Sequence, residues 1–223
     1  EFESLAEFRE GDDPRRIDWR TSARHGHLVV RRFQIEHHRD VLILLDCGRL
    51  MGTEAGQGTK LDRAVDALLM LSQTVLRKGD RCGLAVFDDR VRGYLPPQTG
   101  PHALRVIQES VYAVQSEWRE TNFGALFATL QARQAKRALL VVLSDLVDAE
   151  TTGQYRKALR VLGHRHLVLF AALRTPLLTQ IVQRPLVSMV DLSEKAVALR
   201  LLREREKALH ALDRSGIQVL DVE

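Results

Sequence analysis

The sequence predicts an α/β fold: a three-layer sandwich with a mostly parallel central sheet, a short antiparallel edge strand and an N-terminal extension. Three observations point there. Uninterrupted apolar runs, VLILLD (41–46), ALLVVLSD (138–145) and HLVLFAAL (166–173), have the composition of strands buried on both faces of a parallel sheet. Segments with apolar residues at i, i+3, i+4 and i+7 alternate with these runs, the strand–helix order that builds such sheets. The opening residues, 1–39, differ and carry the turn chemistry Gly11-Asp12-Asp13-Pro14.

Taken in order, residues 1–39 are expected to form an extension whose strand-like stretch, His27 to Ile35, lies along the sheet edge, and residues 40–223 form the main domain. The first core strand ends at Asp46. GTEAGQG (52–58) reads as a flexible loop before a helix in which Leu61, Ala64, Val65, Leu68 and Leu69 make one stripe and Lys78-Gly79 the stop. CGLAVFD (82–88) is a second strand, and VRGYLPP (91–97) an edge strand closed by two prolines. Helices follow at Pro101 to Val114, with Pro in the first turn, and at Phe123 to Arg133. After the strand at 138–145 come a helix at Thr151 to Leu162, the strand at 166–173, and a helix capped by Ser193 and running to about Leu212. Leu199, Leu202, Leu209 and Leu212 share the packed face of that last helix, with Arg200, Arg203, Arg205 and Lys207 on the exposed side. GIQVLDV (216–222) is the final strand.

Composition narrows the function classes. With 223 residues, at roughly 150 per domain, the chain holds one large domain or little more. Hydrophobic residues at 45% and charged residues at 28% exclude wholesale disorder. Thirty-three Lys and Arg against 29 acids leave +4, too small and too interleaved an excess to imply nucleic acid. The longest purely apolar run, Leu167 to Leu173, falls well short of the roughly 20 residues a bilayer span needs. The chain opens on Glu1 with no signal peptide and reads as a fragment of a longer protein, so membrane attachment would come through segments absent from it. Cys47 and Cys82 belong to opposite ends of neighbouring strands, roughly 15 Å or more apart, too far for a disulfide. A reducing, cytoplasmic setting follows.

In an open α/β sheet the ligand crevice lies at the carboxyl ends of the strands, which singles out Asp46, Asp88 and Asp145. Asp46 stands in DCGRL, Thr121 in ETNFGALFATL before a helix, and Asp145 in VVLSDLVD. This set resembles the metal-ion-dependent adhesion site of the von Willebrand A fold, which uses Asp-x-Ser-x-Ser, a Thr and a further Asp from three loops. Within that fold, EFESLAEFREGDDPRRIDWRTSARHGHLVVR resembles the hallmark segment of the bacterial domain of unknown function family 58. The likeness extends through KLDRAVDALLML, GDRCGLAVFDDRV and VLGHRHLVLFAAL.

The resemblance implies cytoplasmic or membrane-tethered A-domain proteins, often associated with MoxR-type AAA+ ATPases and without an established enzymatic activity. Asp46, Thr121 and Asp145 match the metal pattern, but Gly48 and Leu50 stand at the serine positions and have no side-chain oxygen. Expected cofactors are therefore none, or a Mg²⁺ ion that completes its shell with water. Alternatively Arg49 or Lys60 neutralises the Asp46/Asp145 pair in place of a metal.

The leading expectation is a non-enzymatic interaction module whose site is Asp46, Arg49, Thr121 and Asp145, an adaptor or assembly partner of a MoxR-type ATPase. One competing class is a metal-dependent phosphoesterase using Asp46, Asp88 and Asp145. Another is nucleic-acid binding through the Arg-rich opening segment, which is not expected because acids intrude and few aromatics interleave. In the hallmark Gly11, Asp12, Asp13, Arg15, Asp18 and Trp19, a structural role is favoured: Asp12 or Asp18 paired with an arginine, and Trp19 packed on the core. Histidines 25, 27, 37 and 38 match no zinc spacing. There is no nucleophile elbow, phosphate-cradling loop or dinucleotide fingerprint, and no His is placed to activate Cys47.

Overall fold

The chain divides into two units, Glu1–His38 and Arg39–Glu223, in a computed structural model that describes residues 2–10, 12–33, 38–145 and 159–222. In the first unit β1 (Phe2–Glu7) pairs antiparallel with β2 (Val29–Phe33), and α1 (Trp19–His25) falls between them in sequence. The predicted strand is thus present, but it pairs with β1 in a two-stranded sheet of its own. The hallmark acids serve backbone N–H groups. Asp12 accepts from Arg9 at 2.9 Å, Asp13 from Arg15 at 3.0 Å to cap a 3-10 turn, and Asp18 from Thr21 at 3.1 Å to cap α1. Trp19, expected to pack inward, is the first residue of α1 and 67% exposed. His25 is the last residue of α1. Gly11 lies outside the described residues.

The second unit holds a six-stranded sheet of β3 (Asp40–Asp46), β4 (Arg81–Phe87), β5 (Val91–Gln98), β6 (Ala138–Ser144), β7 (Leu167–Leu173) and β8 (Gln218–Val222). The spatial order is β5-β4-β3-β6-β7-β8. Every pairing is parallel except β4 with β5, the edge strand whose Pro96 and Pro97 remove two ladder donors. The chain builds outward from β3 in one direction and then, from β6, in the other. The switch point between β3 and β6 is where such sheets open a crevice.

Period-two alternation in β3 makes the three layers. Leu42 and Leu44 face one core with Phe87, Leu140, Val142 and Phe170, closed by α4 (Phe123–Arg133) through Phe123, Leu126 and Leu130. Leu159 and Leu162, in the helical stretch 159–165 (α5), join that core. Val41, Ile43 and Leu45 face the opposite core. It is closed by Leu61, Ala64 and Leu68 of α2 (Lys60–Arg77) and Ile107 and Val111 of α3 (Gly100–Tyr112). Each fully buried Leu, Ile or Phe adds about 1.5–3 kcal/mol.

Helix α6 (Pro176–Gln183) was not legible, being eight residues with no buried side chain. Helix α7 spans Met189–Asp213, a turn longer than expected, because Ser188 and Asp191 form the capping box. Ser193 lies inside it and returns its hydroxyl to the Met189 carbonyl. The loop expected to be flexible at 52–58 closes on itself, with Ala55 N–H on the Gly58 carbonyl at 2.9 Å and Glu54 bridged to Thr59. Of the helix expected at 151–162, residues 151–158 lie outside the described residues.

Phe123 packs edge-on to Phe87, with ring centroids 5.3 Å apart, and near Phe170 at 6.3 Å. Phe123→Ala is expected to lower stability by about 3–5 kcal/mol in urea denaturation.

Candidate functional site

Strand order puts Asp46, the last residue of β3, beside Ser144, the last of β6, at the switch point. The Asp46 carboxylate is buried and enclosed by donors. Gly48 N–H reaches Oδ1 at 2.8 Å, and Thr121 Oγ1 donates from 2.9 Å to Oδ1 and 3.0 Å to Oδ2. The Ser144 hydroxyl donates to Oδ2 at 2.5 Å. Burial pushes its pKa up to about 6, with a smaller push from Asp145, against the lowering effect of those hydrogen bonds.

Gly48 is required by space rather than by backbone angle. Its φ of −68° suits any residue, but an added Cβ would overlap Thr121 Oγ1 and lie 3.2 Å from Asp46 Oδ1. The threonine hydroxyl occupies the volume that a serine would need at this position.

Asp145 has different company. Lys60 Nζ donates to its Oδ2 and Arg205 Nη1 to its Oδ1, and all three side chains are buried. Lys60 also donates to Thr175 Oγ1 at 2.7 Å, and Arg205 Nη2 reaches Asp221 at 2.9 Å, where Arg174 also binds at 2.9 Å. Lys60 is the first residue of α2, directly after the N-cap Thr59 and inside the Thr59–Asp62 capping box. A cation at a helix N-terminus meets the positive end of the dipole, at a cost of about 0.3–1 kcal/mol. Asp145 offsets it. A buried pair adds little net stability, but stripping one partner costs about 3–5 kcal/mol.

Arg205 was expected on the exposed side of its helix and is instead buried. Ala198, Arg205 and Leu212 stand seven residues apart on the buried stripe of α7, with Ala208. That spacing was the available signal: an arginine at a core position demands a carboxylate partner.

Arg49 was expected in the crevice. It extends outward to Glu120 at 2.6 Å, with both side chains largely solvated. Asp88 is buried, which alone would raise its pKa. Hydrogen bonds from Arg92 and the Arg90 N–H outweigh that and hold the carboxyl below its ordinary range. Cys47 lies buried with its thiol on the Phe87 carbonyl at 3.2 Å, and burial pushes its pKa up to about 12, far from a reactive thiolate. Leu50 sits in the 3-10 turn Arg49–Gly52.

The donor set does not fit a divalent cation. Hard ions need free carboxylate and hydroxyl oxygens. Both Asp46 oxygens already accept hydrogen bonds, and an ion on Asp145 would displace Lys60 and Arg205. No cluster of three His, Cys, Asp or Glu suited to a metal occurs among the described residues.

Two outcomes follow from this geometry. Gly48→Ser should destabilise by about 1–3 kcal/mol through overpacking against Thr121, read from the urea midpoint. Asp46 has a folded pKa above its ordinary value, so its contribution to stability is undiminished below about pH 4. It falls as pH rises toward about 6, where the unfolded carboxyl ionises and the folded one resists. Asp46→Asn should remove that decline, so the variant gains on wild type by about 2–3 kcal/mol between about pH 4 and pH 7.5. A constant difference across that range would contradict the assignment.

The fold is of the von Willebrand A type. Among solved structures, the chain is similar to the conserved hypothetical protein BatB from Bacteroides thetaiotaomicron, with TM-score 0.55 and 13% identity over 83% of this chain and 91% of that one. It is also similar to an aerotolerance-related membrane protein from Bacteroides fragilis, with TM-score 0.52 and 14% identity over 83% and 92%. Among curated relatives, the uncharacterized proteins Rv1480 of Mycobacterium tuberculosis and Mb1516 of Mycobacterium bovis are 21% identical over 164 residues, 73% of this chain. The chain spans about half the length of these relatives, 51%. No helix among the described residues is long and apolar enough to cross a membrane. The family described as Protein of unknown function DUF58 matches residues 4–215, and the chain belongs to it.

Proposed function

We propose that this domain is a non-enzymatic protein-interaction module whose adhesion site is degenerate: two tethered cations, Lys60 and Arg205, stand where related sites use a metal ion. Its partner on this reading is a MoxR-type AAA+ ATPase, which it serves as adaptor or assembly factor, in the cytoplasm or tethered to a membrane by segments outside this chain. One observation carries the proposal. Both oxygens of Asp145 are bonded to buried cationic side chains from two different helices, so the site is neutralised without an exchangeable ion. The phosphoesterase reading is disfavoured by the same chemistry, since Asp88 and Asp145 are held by arginine and lysine rather than open to a metal.

Isothermal titration of the domain with Mg²⁺ or Mn²⁺ should give no heat of binding up to millimolar ion. Titration with the cognate MoxR-type ATPase should give a micromolar or tighter complex in at least one nucleotide state. Micromolar ion binding would overturn the tethered-cation reading, and absence of a complex with and without nucleotide would overturn the partner.

A further inference from the structure

The rim of this site carries an aromatic side chain that the fold holds in water. Trp118 is 93% exposed, yet its backbone is fixed. It is the central residue of a three-residue turn closed by Arg119 N–H on the Glu117 carbonyl at 2.7 Å. On one side of it, Glu117 N–H donates to the Cys47 carbonyl at 3.2 Å. On the other, Arg49 N–H donates to the Arg119 carbonyl at 2.9 Å. The loop after β3 and the loop before α4 are thereby clasped together, with Trp118 at the outer point.

Two glycines let the clasp close. An added Cβ on Gly48 would overlap Thr121 Oγ1 and lie 3.1 Å from the Arg119 carbonyl, and one on Gly52 would lie 2.5 Å from Ser116 Oγ. The residue that leaves no room for a serine ligand is therefore also the residue that seats the tryptophan loop.

The charges around the indole are matched to one another. Glu117 binds Arg92 and Arg119, each at 2.9 Å; Arg119 binds Asp89 at 2.8 Å; Arg49 binds Glu120 at 2.6 Å. Leaving an indole in water forfeits burial of a large aromatic surface. The backbone beneath it is already fixed by three hydrogen bonds, so docking does not have to order the loop.

We propose that Trp118 is the docking anchor of this module, and that it fits a folded protein partner offering an apolar pocket for an indole, with no excess of charge of either sign at the pocket's edge. This rests on the interaction reading above and deepens it: the contact is made by the aromatic point of the rim rather than by an ion in the crevice.

The test uses the domain with the cognate MoxR-type ATPase. Trp118→Ala should keep its thermal midpoint, because the indole is solvated, and should weaken binding about thirtyfold or more, the scale of a hot-spot aromatic. Trp19→Ala should bind as wild type. The chain has two tryptophans, so Trp19→Phe leaves Trp118 as its sole tryptophan, excited selectively above the tyrosine absorption band. Its emission should be that of a solvated indole and should shift to the blue when the ATPase is added. Affinity should change less than about threefold between about 0.05 and 0.5 M salt, because the neighbouring charges are already paired. Unchanged affinity of Trp118→Ala would overturn the anchor while leaving the interaction reading intact. Failure of the wild type to bind would overturn both. A blue shift on concentrating the domain alone would seat Trp118 on a second copy and overturn the proposal.

Discussion

Asp145 is a carboxylate taken out of water at the end of a central strand, and much of the site follows from how its charge is met. Isolated, it would cost several kcal/mol to bury. Lys60 arrives from α2, whose leucines close one face of the sheet, and Arg205 from α7, whose Leu212 belongs to the core on the other face. One carboxylate thus ties together helices from opposite layers around the end of β6. Thr175 and Asp221 extend the tie to the ends of β7 and β8 through the same two cations. A diffusible ion could satisfy the charge, but it would leave these helices unlinked.

Asp46 shows the complementary solution. Among the described residues no cation is among the donors that enclose it, and two hydroxyls and a backbone amide do the work instead. Two acidic residues at adjacent strand ends therefore sit in unlike environments. One is ion-paired, and the other is hydrogen-bonded with its proton affinity raised by burial. Shared metal coordination would ask the opposite of them, two ionised groups with free lone pairs facing one point. The same economy of space operates at Gly48, where a missing side chain admits Thr121 and the loop that carries Trp118.

Much of this was readable along the chain. The strands at 41–46, 82–88, 138–145, 166–173 and 216–222 announce themselves because burial on both faces demands unbroken apolar runs. The helix at 60–77 does so because a single packed face imposes a 3.6-residue period. The family was legible in the Gly-Asp-Asp-Pro-Arg-Arg-Ile-Asp-Trp string and its neighbours. Lys60 was among the candidate neutralising groups, whereas Arg49 and Arg205 exchanged roles. Arg49 is near Asp46 in sequence but has Glu120 in reach. Arg205 lies 60 residues from the carboxylate it meets.

By itself the sequence determined the layers, the order of elements and the family, because these depend on local periodicity and on strings of adjacent residues. It also showed that Gly48 and Leu50, which have no side-chain oxygen, follow Asp46 in the loop after the first core strand. Only the tertiary structure decided which groups meet Asp46 and Asp145. Which charge meets which depends on strands and helices brought together across scores of residues, and an ion pair between buried groups leaves no trace in local pattern beyond a polar residue on an apolar stripe. Exposure is of the same kind: nothing in the string Ser116-Glu117-Trp118-Arg119 shows that the indole stands in water at the rim of the site.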